Sequence, residues 1–185
     1  YSHIQQVSNI FQIDQKLLVS AIGVEQFRYL TTNRAYAKKM IKSNKHLTKF
    51  SKFSYGPWWI KVATAREIQD SVKKYNPEIY QKYFQEDVWL KNSALIEKLE
   101  DEFWGILYAW ALIYSIQERW KQAWFDISHK PGVLITLYNM WNPKHKKPHA
   151  NPDIWGSIII VEWDKRYFWE IWELFYYYLK YYILE

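Results

Sequence analysis

A mainly α fold in one domain follows from three features of the sequence. Apolar residues recur at steps of three and four along most of the chain, and prolines and capping residues punctuate those runs at helix-length intervals. Neither an internal repeat nor a Gly/Ser-rich linker divides the 185 residues. Residues 1–185 are therefore expected to form one unit, long enough to bury a core without disulfides or a structural metal. With 49% hydrophobic and 20% aromatic residues, disordered and collagen-like classes are excluded. The absence of Cys excludes thiol catalysis and cysteine-ligated metal sites and leaves the compartment open.

Each element has a local reason. Ile4, Val7, Ile10 and Phe11 are spaced for a first helix, and Asp14 offers a cap for a second one through Leu17, Leu18, Ala21, Ile22 and Phe27. Lys38 to Lys52 is basic and polar, which predicts a helix end and an exposed loop. Thr64 and Glu67 have capping-box spacing for a helix from Thr64 to about Lys74, and Asn76-Pro77 opens another with Pro at its first position. The broadest periodic face runs through Leu95, Ile96, Leu99, Phe103, Ile106, Leu107, Trp110, Ile113, Tyr114 and Ile116, which predicts the buried helix around which the others pack. Pro131 starts a short apolar helix over Gly132 to Met140, and the prolines between Asn142 and Asp153 require a loop. Ser157 to Val161 fits a short strand or a helix, and Arg166 to Ile183 closes the chain as an aromatic helix.

No transmembrane segment is expected. The uncharged run from Phe103 to Gln117 is shorter than the roughly 20 apolar residues a spanning helix needs, and Glu170, Glu173 and Lys180 interrupt the aromatic C-terminus. The chain opens at Tyr1 without Met or a charged leader, which leads us to expect that a signal or anchor was removed or lies outside this sequence.

The Trp content is anomalous. At an average of about 7%, roughly 13 Gly would be expected, against 5 Gly beside 12 Trp. Trp124 after a helical run, Trp141 after Tyr-Asn-Met and Trp155 before Gly156 all occupy places where the backbone asks for Gly. These observations predict Gly codons written as Trp, since some bacterial lineages decode UGA as Gly. The alternative is a Trp-rich, carbohydrate-binding surface.

Chemistry centres on Glu25. Leu18, Ala21, Ile22 and Glu25 fall at i, i+3, i+4 and i+7, which sets a carboxyl group on the apolar stripe of the second helix. Burial raises the pKa of an unpaired carboxyl group, suiting it to donate a proton near neutral pH, as a glycosidic general acid must. Pairing with Arg28 or Arg34 is the structural alternative.

Four short segments occur in order: Leu18-Val19-Ser20-Ala21-Ile22-Gly23-Val24-Glu25, Ser54-Tyr55-Gly56, Ile60-Lys61 with Thr64-Ala65, and Leu137-Tyr138-Asn139. Together they resemble the three blocks of lytic transglycosylases and goose-type lysozymes. The resemblance covers about residues 4 to 142 and implies a single lysozyme-like helical domain over the chain. In those families a helix ends at the catalytic Glu, a Gly-x-x-Gln turn lines the cleft, and an Ala-Tyr-Asn-Ala-Gly-like helix faces the Glu. The chain departs from them at Gln26, where Ser is usual, at Trp59 for the Gln, and at Trp141 for a Gly.

The resemblance implies a peptidoglycan-cleaving muramidase, a lytic transglycosylase or a hydrolase, acting outside the cytoplasm on glycan strands. Glu25 would be its single acid/base. Tyr138 would orient the Glu, with a core aromatic as the alternative, Asn139 would hold its helix near the cleft, and Gly56 would belong to the turn that lines it. Tyr55 and Trp59 could stack on sugar rings, with ordinary packing as the alternative for Trp59. A hydrolase using two carboxylates would need a partner about 5 to 9.5 Å away, for which Asp126 and Asp153 are the candidates. No cofactor is expected and no metal, because Pro148 keeps His145 and His149 off one helix face. The basic run Lys38, Lys39, Lys42, Lys45, Lys49 and Lys52, with Lys144, Lys146 and Lys147, could hold nucleic acid, but no nucleic-acid-binding signature accompanies it. An inactive lysozyme-like domain that binds glycan or a partner is the other reading.

Overall fold

The computed structural model describes residues 2–30, 60–139, 147–152, 158–161 and 164–182. In chain order its helices are α1 (Ser2–Phe11), α2 (Gln15–Leu30), α3 (Val62–Tyr75), α4 (Pro77–Tyr83), α5 (Asn92–Glu100), α6 (Glu102–Gln122), α7 (Pro131–Asn139) and α8 (Phe168–Tyr182). A 3-10 turn, Glu86–Trp89, joins α4 to α5. The antiparallel strands β1 (Ile158–Val161) and β2 (Asp164–Tyr167) pair with Ile158 opposite Tyr167 and Val161 opposite Asp164.

The chain is mainly helical, as expected, and α6 is its axis. Every side chain from Ile106 to Ile113 is buried, so this helix is apolar on all faces rather than along one stripe. Helices α1, α3, α5 and α7 pack against it, and α8 closes over α2 and α7. Val7 and Phe11 of α1, Ala65, Ile68 and Val72 of α3, and Leu95 and Leu99 of α5 reach the same core. The Val, Leu, Ile and Phe side chains among them each contribute about 1.5–3 kcal/mol on full burial.

Local stops explain most boundaries. The Asp14 carboxylate accepts from the Lys16 amide at 2.8 Å where α2 begins, and Asn76 caps α4 by accepting from the Ile79 amide at 3.1 Å, with Pro77 at the first position. Lys73 and Lys74 end α3, and Arg119 and Lys121 end α6, each opposite the negative end of the helix dipole.

Three expectations are corrected. The face read through Leu95 to Ile116 is two helices: Asp101 is extended (φ −67°, ψ 140°) and caps α6 by accepting from the Trp104 amide at 3.1 Å. The capping box at Thr64 does not form, because α3 starts two residues earlier and Thr64 is buried inside it. Residues 158–161 take the strand alternative, and the last helix starts at Phe168 rather than Arg166, since Arg166 and Tyr167 pair with Ile159 and Ile158. The short apolar helix starts at Pro131 as expected and is described through Asn139, with Met140 outside the described residues. Residues 147–152 are without helix or strand, as expected, while the basic run from Lys38 to Lys52 lies outside the described residues.

The C-terminus of α6 closes in a Schellman arrangement. The Trp124 amide donates to the Lys121 carbonyl and the Phe125 amide to the Trp120 carbonyl, both at 3.0 Å, with Trp124 left-handed at φ 67°.

Where α2 meets α8, Gly23 permits the contact. A Cβ there would lie 3.0 Å from Cδ1 and 3.2 Å from Cε1 of the Phe175 ring. Gly23→Ala gains about 1 kcal/mol of helix propensity, while overpacking costs about 1–3 kcal/mol. A net loss of about 1 kcal/mol in urea denaturation is expected, reversed in sign in a Phe175→Ala background. Equal effects in the two backgrounds would mean the ring does not limit the approach.

Candidate functional site

Of the residues singled out in the sequence, the first and third blocks fall on described elements. Helix α2 continues unbroken through position 25, with Leu18 and Ala21 fully buried. The side chain of Glu25 lies outside the described residues, as do Tyr55, Gly56 and Trp59. Tyr138 and Asn139 form the last turn of α7, each 4% exposed. Their helix packs against α2, α6 and α8, so the helix that carries Glu25 and the helix that carries the Tyr-Asn pair are in contact.

The carboxylates weighed as a second catalytic group differ in standing. Asp126 is exposed and accepts from the Ser128 amide at 2.9 Å. Hydrogen bonds from the Ser128 backbone and side chain hold its carboxyl below the usual range, keeping it ionised rather than available as an acid. Asp153 lies outside the described residues.

A buried polar cluster among the described residues was missed in the sequence. Asp87, on the 3-10 turn, is 1% exposed, with one carboxylate oxygen paired to the Lys98 ammonium and the other accepting from the Tyr108 hydroxyl at 2.8 Å. Gln69 donates to the same hydroxyl at 2.6 Å. Arg66 donates to the Asp87 carbonyl at 2.6 Å and to the Leu90 carbonyl at 2.5 Å. The Lys98 ammonium also lies 3.3 Å from the centre of the Trp104 ring, and Phe84 packs edge-on to Tyr108.

This cluster is built to hold rather than to react. Both Asp87 oxygens are engaged, and the phenol donates to one neighbour while accepting from another. Burial, and next the Asp87 charge, push the Tyr108 phenol far above its ordinary value of 10.0. The groups come from α3, the 3-10 turn, α5 and α6, so the cluster clamps four elements together.

A pH dependence follows. Below pH 10 the phenol is protonated in both the folded and unfolded chains. Above it, the unfolded chain releases the proton while the folded chain keeps it, so stability falls as pH rises, by about 1.4 kcal/mol per unit for one such group. Tyr114 and Tyr176 are raised by burial in the same direction. Urea midpoints measured from pH 9 to 11 are therefore expected to fall less steeply in Tyr108→Phe than in the parent chain. Parallel slopes would exclude Tyr108 as the titrating group.

Among the described residues no helix is long and apolar enough to cross a membrane. No protein-family model, curated protein or solved structure matches the chain.

Proposed function

We propose that the chain is a peptidoglycan-cleaving muramidase of the lytic transglycosylase kind, with Glu25 as its single acid/base. One observation supports this beyond the order of the sequence blocks: α2, continuous through position 25 behind the buried Leu18 and Ala21, packs against the helix that ends in Tyr138-Asn139. The resemblance requires contact between these two helices.

In this reading the glycan enters beside α2, and the Glu25 carboxyl gives its proton to the oxygen between N-acetylmuramic acid and N-acetylglucosamine. As that C1–O bond breaks, the muramic acetamido oxygen bonds to C1. The Glu25 carboxylate then takes the proton of the C6 hydroxyl, O6 bonds to C1, and the acetamido oxygen leaves, which closes a 1,6-anhydro ring. No water enters the products and no second carboxylate takes part, in keeping with the turn role of Asp126. The substrate sets the place of action outside the cytoplasm of a bacterial cell.

The test is digestion of purified sacculi, with soluble muropeptides identified by mass. Anhydro-muramic ends are expected. Reducing ends would replace the transglycosylase by a hydrolase, and no soluble product would overturn the enzymatic reading in favour of a binding domain.

A further inference from the structure

The end of α6 carries information about residue 124 itself. Of the described residues other than Gly, only Gln12 and Trp124 have left-handed backbones. Gln12 has a local compensation, since its side-chain amide donates to the Asn9 carbonyl at 2.6 Å. Trp124 has a bulky ring on a backbone that disfavours any Cβ, and the indole is 93% exposed. Trp is among the most buried residue types on average, and the position after a helix cap in a Schellman turn is the one where Gly is most strongly selected.

The other described Trp side chains have a structural use or an ordinary backbone. Trp104 receives the Lys98 ammonium on its ring, Trp120 is buried, and Trp172 stacks on Tyr176 with ring centres 4.9 Å apart. Trp89 is 86% exposed, yet its backbone is not left-handed. Exposure alone therefore does not single out position 124; the conjunction of exposure and backbone does.

We infer that position 124 is glycine in the polypeptide made by its source cell, where a UGA codon is read as Gly although a translation that reads UGA as Trp prints Trp. The turn then forms without a Cβ, and the exposed indole, which would otherwise offer a sugar-stacking platform, is absent from the working protein. The inference stands on the α6 terminus and is independent of the proposed glycan chemistry.

Tandem mass spectrometry of the protein isolated from its source decides the residue. The peptide spanning position 124 is expected to be lighter than the written sequence by the difference between a Trp and a Gly residue, over a UGA codon in the gene. A peptide with Trp at 124 overturns the inference. Urea denaturation of the chain as written tests the physical reason: Trp124→Gly is expected to raise the midpoint, and Trp89→Gly to leave it unchanged or lower it. An unchanged or lower midpoint for Trp124→Gly overturns the backbone argument.

Discussion

Glu25→Gln is expected to reduce muropeptide release from sacculi by at least about 10²–10⁴-fold, the usual contribution of a positioned acid or base. The substitution preserves size and hydrogen-bonding shape while removing the transferable proton, and in the proposed cycle that one group acts twice. The amide can neither protonate the leaving oxygen nor accept the C6 hydroxyl proton, so both halves of the reaction fail together. Glycan binding and far-ultraviolet circular dichroism should match the parent, because α2 is packed through Leu17, Leu18, Ala21 and the Gly23–Phe175 contact. Release within a few fold of the parent would remove Glu25 from the chemistry and with it the transglycosylase assignment. Loss of activity accompanied by loss of helicity would instead make Glu25 a folding residue.

Asp87→Ala is expected to have a large effect on stability. Removing one member of a buried pair leaves the other charge uncompensated, at a cost of about 3–5 kcal/mol, against a total stability of about 5–15 kcal/mol for an ordinary domain. Here the loss leaves the Lys98 ammonium without its anion and the Tyr108 hydroxyl without its acceptor. Lys98→Met should cost less, because the ammonium is partly exposed and Asp87 keeps the phenol. Combining Asp87→Asn with Lys98→Met should cost less than the two separate losses added together, since neither charge is then stranded. Urea midpoints of the set provide the check, and a loss under about 1 kcal/mol for Asp87→Ala would show that the clamp contributes little.

The helices were largely legible because each has its own short-range cause. Asp14 and Asn76-Pro77 announce helix starts within a few residues, and the apolar spacing of α1, α3 and α6 needs no partner to be visible. The break at Asp101 was hidden because the apolar period resumes almost in phase across it, with neither Gly nor Pro to mark the stop. Thr64 misled in the opposite way, offering capping spacing inside a helix that begins earlier.

The polar clamp had no sequence signal at all. Gln69 and Tyr108 are 39 residues apart and Asp87 and Tyr108 are 21 apart, so nothing in either neighbourhood specifies the pairing. Within its own helix Tyr108 reads as one more core aromatic. The proposed site was legible only through resemblance: spacing sets Glu25 on an apolar stripe, and the meaning of Tyr138-Asn139 comes from the order of the blocks. Trp124 is the counterexample, a residue whose misfit was visible in the sequence and whose physical reason is the left-handed turn at the end of α6.

The Arg66 guanidinium has a consequence for how the molecule breathes. By donating to the carbonyls of Asp87 and Leu90 from α3, it ties the 3-10 segment to that helix in addition to the local bond from the Leu90 amide to the Asp87 carbonyl at 3.1 Å. Loosening of α3 therefore removes part of the hydrogen bonding of the 3-10 segment, and the segment's exposure to solvent is expected to rise with the opening of that helix.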